Sequence, residues 1–102
     1  MRFIPVFLIA LTSVFAQKRE DFYAIESIPL PDGVVGEVDG LSFSPSGKLA
    51  VAFFREGVFF YDPKTEEWTH FAHGLHEPLG IHAVSDSEVV VMQRPELTRI
   101  ID

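Results

Sequence analysis

The stretch DGLSFSPSGKLAVAFFREGVFFYD, residues 39–62, decides the fold of this chain. Its apolar runs are separated by PSG and REG, two short connectors that combine glycine with proline or with charged residues. Connectors this short join antiparallel strands in hairpins, whereas a crossover between parallel strands needs a dozen or more residues. The stretch therefore predicts three consecutive strands, at residues 40–44, 48–53 and 57–61.

The same pattern returns once, further along the chain. Residues 79–102, LGIHAVSDSEVVVMQRPELTRIID, align with residues 39–62 without a gap. Apolar positions keep their phase in this alignment, which pairs Phe60 with Ile100 and Tyr61 with Ile101. Four positions are identical: Gly40 and Gly80, Val51 and Val91, Glu56 and Glu96, Asp62 and Asp102. A repeat of about 40 residues built from short strands is typical of one four-stranded blade of a β-propeller.

The predicted fold class is therefore all-β, a β-propeller fragment. Residues 39–78 form the first blade, with a fourth strand at 67–72, and residues 79–102 form part of a second blade, truncated after its third strand. Residues 17–38 supply a lead-in strand, because residues 22–30 alternate and are closed by the turn sequence PDG. The remaining blades are expected to be missing from this sequence. A lone meander or small sandwich of seven or eight strands is the alternative.

Residues 1–16, MRFIPVFLIALTSVFA, have the features of a secretory signal peptide. One positive charge, Arg2, precedes an apolar run, and small residues precede the expected cleavage between Ala16 and Gln17. The segment available to cross a membrane, residues 3–16, is shorter than the roughly 20 residues that a spanning helix needs. We therefore expect cleavage rather than a membrane anchor, with no transmembrane span after processing and export to the periplasm or the exterior.

Charge and cysteine content narrow the possible partners. Loss of residues 1–16 removes Arg2 and leaves seven basic against 15 acidic side chains, a net charge of −8. Such a surface repels phosphate backbones, so nucleic acid is not an expected partner. The chain has no cysteine, and its stability must come from its core without disulfides.

Residues 73–81, HGLHEPLGI, and residues 85–102, SDSEVVVMQRPELTRIID, carry a resemblance to a known family. They resemble the opening blades of bacterial sorbosone and glucose dehydrogenase-like β-propellers, which include exported proteins described as membrane-bound dehydrogenases. The resemblance covers residues 39–102. It implies a six-bladed ring that in some members holds pyrroloquinoline quinone and calcium and oxidises a sugar or aldehyde with a histidine base.

The chain departs from that family where catalysis is concerned. The histidine followed by glycine-rich sequence in the well-studied glucose oxidisers has no match in residues 17–102, so the catalytic residues are unknown. We expect this chain to be inactive and to hold no cofactor by itself. The alternative is a non-catalytic propeller, similar to the NHL type, that binds a carbohydrate or a protein, since such propellers share the P-x-G-I start.

Three residues are predicted to line a cofactor or ligand site. His76 and Glu77 lie in the loop before the second blade, where an inner strand starts near the central channel. Arg94 precedes Pro95 and is predicted to reach a bound anion or a quinone carboxylate. The alternative for Arg94 is a solvated turn residue that pairs with Glu96.

A cluster of histidines and three aromatic residues have simpler interpretations. His70 and His73 belong to the stretch HFAHGLHEPLGIH, and a spacing of three on a strand places them on opposite faces unless a bulge intervenes. No metal site is therefore predicted there. Tyr61, Trp68 and Phe71 are predicted to pack between blades.

Overall fold

The computed structural model describes residues 22–102, and all of their regular sheet structure is antiparallel. The predicted all-β class is confirmed. The predicted signal peptide lies outside the described residues, and among residues 22–102 no helix is long and apolar enough to cross a membrane. The strands are β1 (Val38–Phe43), β2 (Leu49–Phe53), β3 (Gly57–Asp62), β4 (Glu67–Ala72), β5 (Gly80–Ser85), β6 (Glu88–Met92) and β7 (Leu97–Ile101).

The strands form two sheets. The first sheet has the order β1-β2-β3-β4 and the second has the order β5-β6-β7. Each neighbour in sequence is also the neighbour in space, as the short connectors predict. The predicted four-strand and three-strand groups are thus both present, with bounds within two residues of those predicted.

The lead-in segment, residues 22–37, is not the strand that its alternation predicts. It crosses the first sheet instead of pairing with a strand edge. Trp68 Nε1 donates a 2.8 Å hydrogen bond to the carbonyl oxygen of Pro29, and Val34 packs against Val51, Phe53 and Phe59. Because the partner of this segment is a sheet face, its alternating residues are not sorted into a buried and an exposed set, and Ile25 is fully exposed.

The main core lies between the two sheets. Alternation along each strand gives the first sheet two faces. We call the face that meets the second sheet the forward face, and it includes Gly40, Ser42, Ala50, Ala52, Val58 and Phe60. We call the opposite face the back face, and it includes Leu41, Phe43, Leu49, Val51, Phe53 and Phe59.

The same names apply to the second sheet through its strand pairing. Ile81 pairs with Val91 just as Leu41 pairs with Val51, so β5 and β6 repeat β1 and β2 at one constant offset in the numbering. The back face of the second sheet therefore includes Ile81, Ala83, Val89 and Val91, and its forward face includes Gly80, His82, Val90 and Met92. Ala83, Val89 and Val91 are the residues buried against the first sheet.

The gapless alignment is wrong in the third strand. Val51 pairs with Phe59, but Val91 pairs with Thr98, so the offset there is smaller by one. The cause is the connector, which is one residue shorter in the second sheet: five residues separate the paired Ala52 and Val58, and four separate their counterparts Met92 and Leu97. A slip of one residue turns every side chain to the other face. Phe60 therefore corresponds to Arg99, Tyr61 corresponds to Ile100, and the identities at Glu96 and Asp102 are out of register.

The two sheets stack in the same sense. The forward face of the first sheet covers the back face of the second, so unlike faces meet. β1 lies against β5, and a Cβ at Gly40 would lie 3.2 Å from the Cα of Gly80 and 3.3 Å from the carbonyl oxygen of Leu79. Only glycine allows two backbones to approach so closely. Same-sense stacking is typical of repeat proteins, whereas a two-fold sandwich brings like faces together.

Candidate functional site

The three predicted site residues lie together where the loop before β5 meets the β6–β7 turn. Two hydrogen bonds join loop and turn: His76 N donates to Gln93 Oε1 at 2.7 Å, and Arg94 N donates to the carbonyl oxygen of His76 at 2.9 Å. A third runs from Leu79 N to the carbonyl oxygen of Met92 at 2.8 Å. The β5–β6 ladder thus extends past the strand ends and holds the loop against the turn.

Glu77 and Arg94 form the charged part of this site. Arg94 Nη1 lies 3.2 Å from Glu77 Oε2. The alternative pairing of Arg94 with Glu96 is wrong, and Glu96 Oε1 instead accepts a 3.1 Å hydrogen bond from Thr98 Oγ1. The guanidinium is 73% exposed and the carboxylate 42%, so water screens the pair and it contributes little to stability.

Glu77 has an uncommon backbone conformation. Its φ is +48°, in the left-handed region that residues other than glycine, asparagine and aspartate rarely adopt. Pro78, which follows it, is fully buried and fixes the direction in which the chain enters β5. The strain is therefore held by the start of β5, and it places the Glu77 carboxylate beside the β6–β7 turn.

The pair borders a shallow depression of about 480 Å³. Gln93 contributes little to binding there, because its amide already accepts from His76 N and donates to Thr98 Oγ1 at 2.8 Å. The groups left for a ligand are one carboxylate, one guanidinium and an apolar floor. The lining residues are Glu77, Leu79, Met92, Gln93, Arg94 and Pro95.

These groups do not fit pyrroloquinoline quinone or calcium. A quinone with several carboxylates needs an excess of positive charge, but the guanidinium of Arg94 is matched by the carboxylate of Glu77. Calcium needs six or more oxygen ligands, and residues 22–102 contain no group of three or more histidine, aspartate or glutamate side chains placed to hold a metal ion.

The prediction that His70 and His73 lie on opposite faces is wrong. Their ring centroids are 5.9 Å apart. A bulge causes this: Val58 pairs with Ala72 while Phe59 pairs with His70, so one extra residue stands between them. His70 stacks on Phe59 with ring centroids 4.1 Å apart, and its Nε2 lies 2.9 Å from the carbonyl oxygen of Glu56.

The aromatic residues pack in two different places. Phe71 lies edge-on to Phe60, with centroids 5.2 Å apart, and packs against the core between the sheets, as predicted. Tyr61 and Trp68, in contrast, lie on the back face beneath the lead-in segment, with centroids 4.9 Å apart. The segment rather than another sheet covers them.

Asp86 is a contact that the sequence analysis missed. Ser44 Oγ donates to Asp86 Oδ1 at 2.6 Å, Ser46 Oγ donates to both carboxylate oxygens at 2.7 Å, and Lys48 Nζ lies 3.9 Å away. The hydroxyl of Ser44 is the largest cause that lowers the pKa of Asp86, followed by that of Ser46. This cluster, which we call the latch, ties the β1–β2 turn to the β5–β6 turn. The only sequence signal is that SPSGK and SDSE occupy matching turns of the two repeats.

Comparisons of the whole chain with protein-family models, curated proteins and solved structures found no significant match.

Proposed function

We propose that this chain contributes to an exported β-propeller protein similar to the quinone-dependent sugar and aldehyde dehydrogenases. In this proposal the two sheets form scaffold and a ligand-facing rim, and other sheets supply the catalytic groups. The observation that supports it is the same-sense stacking of two antiparallel meanders, with β1 against β5 at Gly40. Blades arranged around an axis stack in this way, with their first strands innermost.

The rim is the site at His76, Glu77 and Arg94. It lies at the start of β5, which is an innermost strand in the proposed ring. A carboxylate and a guanidinium 3.2 Å apart offer acceptors and donors side by side, which suits the vicinal hydroxyls of a sugar. The apolar floor formed by Leu79 and Met92 suits the C–H face of the same ring. The proposed ligand is therefore a neutral sugar or a related alcohol or aldehyde.

Amide NMR of the full chain during titration with D-glucose tests the rim. We expect saturable shifts confined to residues 76–80 and 92–95, which are lost in Glu77→Gln and in Arg94→Ala. Arg55→Ala is the matched control, because Arg55 is a similarly exposed arginine that pairs with Glu37 at 3.3 Å far along the chain from the rim. Shifts that spread evenly over the chain, or that persist in both variants, contradict the proposed rim.

A non-catalytic propeller that binds carbohydrate is the second candidate. The neutralised charge at Arg94 favours it, since the described residues have no excess cation for a quinone at this position. Neither candidate places catalytic groups on this chain, so both expect no oxidation of glucose when quinone, calcium and an electron acceptor are added. Turnover places catalytic groups on this chain, which contradicts the scaffold role and the non-catalytic candidate together.

A further inference from the structure

Corresponding residues on the forward faces of the two sheets differ in exposure: they are buried on the first sheet and partly or largely exposed on the second. On the first sheet Ala50 and Ala52 are fully buried by the second sheet. Their counterparts on the second sheet are Val90, which is half-buried, and Met92, which is 55% exposed. Leu97 and Ile101 extend this apolar face along β7 and are also exposed. The second sheet thus presents the kind of face that the first sheet buries.

Gly80 indicates what kind of surface covers that face. Its counterpart, Gly40, lacks a side chain because the backbone of β5 lies against it. At Gly80 a Cβ would meet nothing within 4 Å, and its φ is not among the positive values that require glycine. A glycine inside a strand costs stability unless something approaches closely. The repeat therefore points to a second backbone at Gly80.

The back face of the first sheet offers that backbone. Leu41 and Phe43 of β1 are 59% and 66% exposed, whereas their counterparts Ile81 and Ala83 are half-buried and 3% exposed beneath the first sheet. The lead-in segment covers β2–β4 on this side but leaves β1 open. Since the intramolecular contact is made by β1 and β2 against β5, the open β1 edge is the part that a repeat of the same contact requires.

We propose that the forward face of the second sheet in one copy of this chain binds the back face of β1 in another copy. The contact repeats the one inside the chain, with Leu41 and Phe43 in the places that Ile81 and Ala83 occupy. The proposal rests on the same-sense stacking that supports the proposed function, but not on its ligand chemistry. Because unlike faces meet, each bound pair of copies keeps one free face of each kind, and association continues into a closed ring or an open fibre.

The contact between copies is weaker than the contact within one. The latch has no counterpart there, because Val84 and Glu88 stand where the first sheet has Ser44 and Lys48. Glu88 is already paired with Arg99 at 2.8 Å on the same face. Apolar burial at Met92, Leu97, Leu41 and Phe43 is what remains to hold the copies together.

Two variants of the full chain, each with one face disabled, provide the test. Met92→Glu puts a charge on the forward face of the second sheet, and Leu41→Glu puts one on the back face of β1. Both sites are exposed in the single chain, so folding should survive, which far-UV circular dichroism checks. In sedimentation experiments we expect the parent chain to form species larger than a dimer and each variant to be monomeric. An equimolar mixture should form a heterodimer and nothing larger, because it retains one intact face of each kind.

Ile25→Glu and Phe43→Glu complete the design. Ile25 is fully exposed on the lead-in segment, so a charge there should leave the association unchanged. Phe43→Glu should behave as Leu41→Glu does and should also be rescued by Met92→Glu. A monomeric parent chain at about 100 µM overturns the proposal. The proposal is also overturned if either single variant still self-associates, because the contact then lies elsewhere. It is likewise overturned if the mixture of the two variants stays monomeric, because the two faces then do not meet.

Discussion

The two sheets begin with the same hairpin and end in different surroundings. β1–β2 and β5–β6 share one register, in which Leu41 and Val51 correspond to Ile81 and Val91. The first sheet is covered on its forward face by the second sheet and over β2–β4 of its back face by the lead-in segment, whereas the second sheet is covered on one side only. The comparison shows that connectors and alternation determine the hairpin, while neighbouring elements determine which of its faces is buried.

The third strand is where the two sheets diverge. Because the β6–β7 connector is one residue shorter than the β2–β3 connector, Arg99 takes the place that Phe60 holds in the first sheet. Phe60 is buried between the sheets, and Arg99 lies on the open face and pairs with Glu88 at 2.8 Å. A charged residue is acceptable there because that face is not enclosed within the single chain.

Alanine at these two positions gives the largest expected contrast. Phe60→Ala should lower the free energy of unfolding by about 3–5 kcal/mol, because it leaves a cavity in the core between the sheets. Arg99→Ala should change it little, since the side chain is exposed. Urea unfolding at a concentration below that of self-association measures both. Equal losses at Arg99 and Phe60 contradict the corrected register.

The sequence was sufficient for the hairpins but not for contacts made across the chain. Strand bounds followed from local connectors such as PSG and REG. The shorter connector between Met92 and Leu97 was missed because chance identities at Glu96 and Asp102 favoured a gapless alignment, and the bulge before Ala72 was missed because it depends on pairing with Val58. The prediction of a strand in the lead-in segment was wrong because this segment contacts the face of the first sheet and not the edge of a strand.

The sequence accounts for the proximity of His76, Glu77 and Arg94 but not for the pairing of Arg94. His76 and Glu77 precede β5 and Arg94 follows β6, so an antiparallel β5–β6 hairpin brings all three to the same end of the sheet. Which carboxylate Arg94 contacts depends on the left-handed φ of Glu77, for which the sequence offers no glycine or asparagine as a signal. The neighbouring Glu96 was therefore the wrong choice.

Alanine at Gly40 and at Gly80 tests the same comparison of the two sheets, with a smaller expected change in the free energy of unfolding. Gly40→Ala should cost about 1–3 kcal/mol, because its Cβ would press on the backbone of β5 at 3.2–3.3 Å and the sheets would have to separate. Gly80→Ala should change the free energy of unfolding of the monomer by no more than about 0.5 kcal/mol, since the space beside it is open. Thermal and urea unfolding of both variants measure the difference. A large loss from Gly80→Ala in the monomer means that something inside the chain already lies against it.

The latch gives the smallest effect and the one that depends on pH. Asp86 stands where the first sheet has Ser46, and hydroxyl donors from the first sheet lower its pKa. When the pKa of a carboxyl group is lower in the folded state than in the unfolded state, the group stabilises the fold at pH values above its unfolded pKa. This contribution is lost as the pH falls through the folded pKa.

Asp86→Asn should therefore cost roughly 1 kcal/mol of unfolding free energy at pH 6. This is less than the cost for a fully buried charged hydrogen bond, because the Asp86 side chain is 38% exposed. Its difference from the parent chain should shrink in acid as the pH falls through the lowered folded pKa of Asp86. Asp32→Asn, at the exposed turn of the lead-in segment, is the control and should leave the free energy of unfolding nearly unchanged. Urea unfolding between pH 2.5 and 7 checks both, and a constant difference over that range shows that the Asp86 carboxylate does not act through its charge.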